Sequence, residues 1–170
     1  MKNKILLFIF LGLTSHFSFS QCNNLFISEY IEGSSFNKSI EIYNPTGISI
    51  PGNAFAIRLY FNGNPAPTTI VITGTINPNS TYVISHSSAS PAILALSNQT
   101  NAGISFNGND AVELYAVFSS TAVDRIGVIG VDPGTEWNLN GVPSTLNHTL
   151  IRMPTIQQGN LVWTASCETE

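Results

Sequence analysis

Beyond its first twenty residues the chain never keeps apolar residues at helical spacing over a long window, and this excludes a helical bundle. What recurs instead is short apolar alternation bounded by Gly, Pro and Asn. The clearest case is Leu25 to Asn44, LFISEYIEGSSFNKSIEIYN, two strand-like arms joined by a polar turn. Leu25, Ile27 and Ile31 fall on one face of the first arm, and Ile40 and Ile42 on one face of the second. On that period Glu29 lies on the apolar side of its arm and Glu41 on the opposite side of the next. Glu32 to Asn37 supplies turn chemistry, too long for a two-residue hairpin. Pro45 then stops the second arm, because proline cannot donate to a ladder.

Further strands follow at similar spacing. Phe55, Ile57, Leu59 and Phe61 alternate against Arg58 and Tyr60; Ile70 and Ile72 mark the next strand, and Tyr82 to Ile84 the one after. Pro91 to Leu96 reads as a short helix or irregular crossover inside the loop Ser87 to Asn101. Strand character returns at Ala111 to Phe118, where Val112, Leu114 and Ala116 alternate against Glu113, Tyr115 and Val117, and again at Val123 to Ile129. Asp132 to Asn147 is rich in Gly, Pro, Asn and Ser and reads as loop. His148 to Met153 and Asn160 to Thr164 complete the strands. About eight short strands with almost no helix argue for an all-β sandwich or barrel.

The first twenty residues obey a different logic. Lys2 and Lys4 precede an apolar run from Ile5 to Leu13, and Ser18-Phe19-Ser20 offers a small-x-small cleavage site, the pattern of a secretory signal peptide. The apolar run is short of the roughly 20 residues a membrane span needs, and no later window reaches that length. The expected organisation is a signal peptide over residues 1–20 and one domain over 21–170, secreted or at the cell surface, with no transmembrane segment. Roughly 150 residues suit a single core.

Charged residues make up only 9% of the chain, with a formal net charge of -4. No basic patch can neutralise phosphates, so direct nucleic-acid binding is not expected. The two cysteines, Cys22 and Cys167, stand near the two ends of the mature chain. In an oxidising compartment they read as one disulfide fastening the terminal strands; two free thiols, or a lipid on Cys22, are the competing assignments.

Four stretches resemble the bacterial exported branch of the lamin tail domain family: FISEYIEGSSFNKSIEIYNPTG (Phe26 to Gly47), GTINPNSTYVISHS (Gly74 to Ser87), FNGNDAVELY (Phe106 to Tyr115), and DRIGVIGVDPGTEW with STLNHTLIR (Asp124 to Trp137, Ser144 to Arg152). The resemblance implies an immunoglobulin-like β-sandwich and a non-catalytic accessory module for adhesion, protein interaction or substrate targeting. It supplies no catalytic residues. Members of this type usually continue past the final strand, whereas this chain stops at Glu170, so the alternative is an N-terminal accessory domain of an exported nuclease or other hydrolase.

The residues themselves offer few sites. Ser144, His148 and Asp132 can be drawn as a catalytic trio, but none sits in a nucleophile motif, and His86 and His148 read as loop histidines bonded to backbone. No His/Cys cluster has zinc spacing. A calcium site at a sandwich end would draw on Glu32, Asn37, Asp132 and Glu136, built from carboxylates and Asn/Gly-rich loops; no other cofactor is expected. Trp137 and Tyr60 are candidates for a ligand platform, against the reading of Trp137 as a plug over the sandwich end. Trp163 reads as core. The expected partner is an extracellular protein or glycan. Mass spectrometry of the mature protein is expected to show a gain of two hydrogens on reduction; two free thiols before reduction overturn the disulfide.

Overall fold

A computed structural model of the chain describes residues 24–163, so the expected leader, Cys22 and Cys167 lie outside the described residues. The strands are β1 (Phe26–Glu32), β2 (Lys38–Asn44), β3 (Ile50–Pro51), β4 (Phe55–Tyr60), β5 (Thr68–Val71), β6 (Thr75–Ile76) and β7 (Ser80–Ser85). The short helix α1 (Pro91–Leu94) leads to β8 (Gln99–Thr100), β9 (Ala111–Ala116), β10 (Thr121–Ile126), β11 (Asn138–Leu139), β12 (Val142–Pro143) and β13 (Thr149–Ile151). A five-stranded sheet runs β13-β1-β2-β7-β8 and faces a four-stranded sheet, β10-β9-β4-β5. β3 pairs with β6 and β11 with β12 as small separate ladders. Short antiparallel strands with one face buried are what the alternating sequence dictates.

One apolar cluster joins the two inner faces. Ile40, Ile42 and Ile84 of the larger sheet meet Ile57, Leu59, Val112 and Leu114 of the smaller, all fully buried. Tyr30 lies in the same cluster, its ring 4.9 Å from Phe106.

The first arm departs from strict alternation. Ile27 pairs with Ile42, but Glu29 pairs with Glu41, so Ser28 is an extra residue and forms a β-bulge. The bulge moves the inward positions from odd to even numbers. Tyr30 (1% exposed) and Glu32 (3%) therefore turn inward, in place of the expected Glu29 and Ile31. β10 contains a second bulge: Ala122 pairs with Tyr115 and Asp124 with Leu114, leaving Val123 extra. It turns Asp124 from the outer face to the inner one, where it is fully buried.

Asn160 to Thr164, expected as a strand, forms none over its described residues. Leu161 and Val162 are exposed, and the Asn160 side chain accepts the Val162 N–H at 2.8 Å, a local turn that competes with any ladder. Trp163 is core, as its sequence reading has it. The segment read as loop from Asp132 to Asn147 contains the β11/β12 hairpin, and the β3/β6 ladder was missed because two-residue strands carry no periodic signal.

Gly159 lies against the second bulge, where an added Cβ would stand 2.7 Å from the Asp124 Cβ and against the Val123 carbonyl. Gly159→Ala is expected to lower stability by about 1–3 kcal/mol, as overpacking does, read as a lower urea midpoint at unchanged slope.

Candidate functional site

The two sheets part along one side of the sandwich. There β13 and β1 form the border of the larger sheet and β10 the border of the smaller. Between them opens a cavity of about 330 Å³, lined by Tyr30, Ile126, Leu139, Leu150 and Trp163, with Met153 and Ile156 from the segment after β13. The volume is in the range of small-ligand or anchor-residue pockets, and its lining is mainly apolar. Glu29, Arg125 and Arg152 supply its charges.

Two of those charges are already matched. The Asp124 carboxylate accepts from Arg152 Nη2 at 2.9 and 3.0 Å, and from the backbone N–H groups of Ile27, Asn160 and Arg125 at 2.8, 2.8 and 2.9 Å. Burial raises the Asp124 carboxyl above the usual aspartate value, while Arg152 and the amide donors pull it back. Arg125 donates to Glu113 Oε2 at 2.6 Å on the outer face of the smaller sheet. The Tyr60 hydroxyl donates to Glu113 Oε1 at 2.9 Å, and burial together with that carboxylate raises the Tyr60 phenol above its ordinary value. Arg58 stacks on Tyr115, 3.2 Å from the ring centroid.

Glu29 differs from these. It makes no ion pair among the described residues and stands directly opposite Glu41 across the β1/β2 ladder. Partial burial, then the Glu41 charge, raises its carboxyl above the usual glutamate value. The Ser28 hydroxyl donates to Glu41 at 2.7 Å, so the bulge residue supports one carboxylate of the pair only.

The calcium candidates are each engaged elsewhere. Glu32 pairs with Lys38 and accepts the Asn147 N–H. Asn37 Oδ1 accepts the Ser90 N–H at 2.9 Å. Asp132 accepts from Asn109 Nδ2 and the Gly134 N–H, at 3.1 and 2.8 Å, and Glu136 accepts the Leu146 N–H at 3.2 Å. Among the described residues no group of three or more His, Cys, Asp or Glu side chains stands where it could hold a metal ion. Nor do Glu29, Glu32, Asn37 and Glu41 form one group: the bulge sends Glu29 and Glu41 to the outer face and Glu32 inward.

Neither platform aromatic offers an open ring. Trp137 is 6% exposed, its indole N–H donating to the Asp110 carbonyl at 3.0 Å and its ring edge-on to Trp163; Tyr60 is 5% exposed. Trp137 is the plug of its alternative reading. Ser144 donates to the Val142 carbonyl at 2.6 Å, and the His148 Nδ1 stands 2.6 Å from the Leu146 carbonyl, so the drawn trio is turned to local backbone. His86 accepts the Ser88 N–H at 2.9 Å and stacks on Phe36.

With this geometry, the model of the family described as Lamin Tail Domain matches residues 18–130, more than half of the chain. The chain belongs to the lamin tail domain family. The lamin tail domain is an immunoglobulin-like β-sandwich family, in keeping with the two facing sheets. No curated protein matches the chain. The sequence points to the arrangement at Asp124: buried carboxylates such as this one are expected to be held by backbone amides or by one of Arg58, Arg125 and Arg152, and Asp124 is held by amides and by Arg152. The usable signal was scarcity: with six Lys and Arg in all, an Asp at a strand face needs one of the few arginines.

Because the folded-state value of Glu29 is raised, its contribution to stability is fully present below the ordinary glutamate range and lost as pH rises through the raised value. Glu29→Gln is accordingly expected to stabilise the domain by about 0.5 kcal/mol at pH 7, the size of a like-charge cross-strand term, with the gain gone near pH 4. Urea unfolding at the two pH values checks this.

Proposed function

We propose that this lamin tail domain is an exported, non-catalytic binding module that engages an extracellular protein through the side of the sandwich where the sheets part. The observation that carries the reading is the mainly apolar cavity between β13/β1 and β10. An apolar pocket of this size favours an anchor side chain from a protein over a sugar ring, because Trp137 and Tyr60 are buried rather than displayed. Export rests on the leader-like pattern of residues 1–20, and no helix among the described residues is long and apolar enough to cross a membrane. The acidic balance of the chain speaks against nucleic acid as the direct partner.

The expected outcome is capture of a specific extracellular protein by the immobilised mature domain from culture supernatant and cell-surface extract. Met153→Glu, which puts a charge on the cavity wall, is expected to abolish that capture while leaving the melting temperature close to wild type. Retention on a glycan array together with absence of any protein partner overturns the protein reading.

A further inference from the structure

We infer that the partner binds as an added β-strand along β13, with alternate side chains entering the cavity and the others on the outer face that carries Glu29. This rests on the binding-module reading above and specifies how that site is used. β13 borders the five-stranded sheet and pairs on one side only, with β1. The Arg152 N–H donates to the Ser28 carbonyl and the Glu32 N–H to the His148 carbonyl, so the even-numbered backbone groups face β1. By alternation the N–H and C=O groups of Thr149 and Ile151 face away from it. Neither residue has a backbone partner on that side among the described residues.

The neighbouring sheet borders are treated differently. At β5 the Gln99 side chain donates to the Val71 carbonyl and accepts the Thr73 N–H, capping the strand, and beside β10 the Arg125 N–H is taken by the Asn160 carbonyl. The β5 and β10 borders are thus covered in part, whereas the outward main-chain groups of Thr149 and Ile151 on β13 have no partner among the described residues, and Ile151 is 72% exposed.

Its side chains set what an added strand must carry. Leu150 pairs with Tyr30 on the inner side and lines the cavity, whereas Ile151 pairs with Glu29 on the outer side. Inward positions of the new strand would enter the cavity beside Leu150 and call for apolar groups. Outward positions would flank Ile151, from which a long basic side chain can reach across β13 toward Glu29, about 10 Å away at two strand spacings; Glu29 stands opposite Glu41 and has no paired cation among the described residues. A lysine or arginine there would relieve that repulsion. The occupant is therefore an extended segment of a partner protein that alternates apolar and basic residues, recognised by main-chain bonds and read by its side chains.

A fluorescent extended peptide of alternating lysine and valine serves as probe, with alternating glutamate and valine as its control. The lysine peptide is expected to bind the wild-type domain about tenfold more tightly than the glutamate peptide, and Glu29→Lys to reverse that order. Ile151→Pro removes an outward N–H without touching the β1 ladder and is expected to abolish binding; the thermal melt verifies that the variant is folded. Overturning results are binding undiminished in folded Ile151→Pro, absence of binding by either peptide, or equal binding of both. A concentration-dependent dimer that Ile151→Pro dissolves would assign the border to a second copy and overturn the foreign segment. If a natural partner is captured equally by wild type and Ile151→Pro yet lost in Met153→Glu, the added strand fails while the binding module stands; if no protein is captured at all, the binding module itself fails.

Discussion

A single buried carboxylate holds the two sheets in register where they come closest to separating. Asp124 on β10 reaches across to the Ile27 N–H on β1, takes Arg152 from the end of β13, and receives Asn160 from the segment that follows. Taking a carboxylate out of water costs several kcal/mol, and a single neighbour would not offset it. Here charged and amide donors converge at 2.8–3.0 Å, so both oxygens are supplied. Both ends of the link depend on a bulge: Val123 turns Asp124 inward, and Ser28 frees the Ile27 N–H and a carbonyl that Arg152 then covers. A pair of extra residues, one on each facing strand, converts two plain sheet borders into a matched joint.

That joint explains why the cavity lies where it does. A sandwich whose borders closed fully on each other would have no opening between β13 and β10, and one without Asp124 would have no fixed spacing there. The charges around the opening fall into two kinds. Arg152 and Arg125 are held by carboxylates and act as framework, whereas Glu29 is left facing Glu41. In a chain this poor in charge, a carboxylate without a paired cation among the described residues stands out as one that lowers stability rather than adding to it.

The sequence made the strands legible and the faces only in part. Alternation over Phe55 to Tyr60 and Ala111 to Ala116 predicts which side chains face the core, because neither strand is interrupted, although Tyr60 and Glu113 on the opposite face are buried as well. Period-two counting failed at Glu29 and Ile31 for one reason: an inserted residue reverses the face of everything after it, and no residue type announces a bulge built from Ser28 or, in β10, from Val123. The polar candidates were hard to place for another reason. Glu32, Asp132 and Glu136 have the right chemistry for a cation, but which amide or lysine each would meet depends on loop packing that composition does not encode. For Trp137 the Asp-Pro-Gly turn before it favours the buried plug over a displayed ring, but the Asp110 carbonyl that receives its indole N–H is not legible in the sequence.

The segment shared with the family and the segment that must fold together are not the same length. The family match ends at residue 130, yet Trp137 and Trp163 fill the apolar cluster, β13 flanks β1, and Arg152 neutralises Asp124. Excised at the end of the match, the domain would bare the border of β1 and leave Asp124 as an uncompensated charge in an apolar setting. The stretch after the match, about a quarter of the chain, is thus less a tail than a closing piece, and a change within it can be felt in the part that relatives have in common.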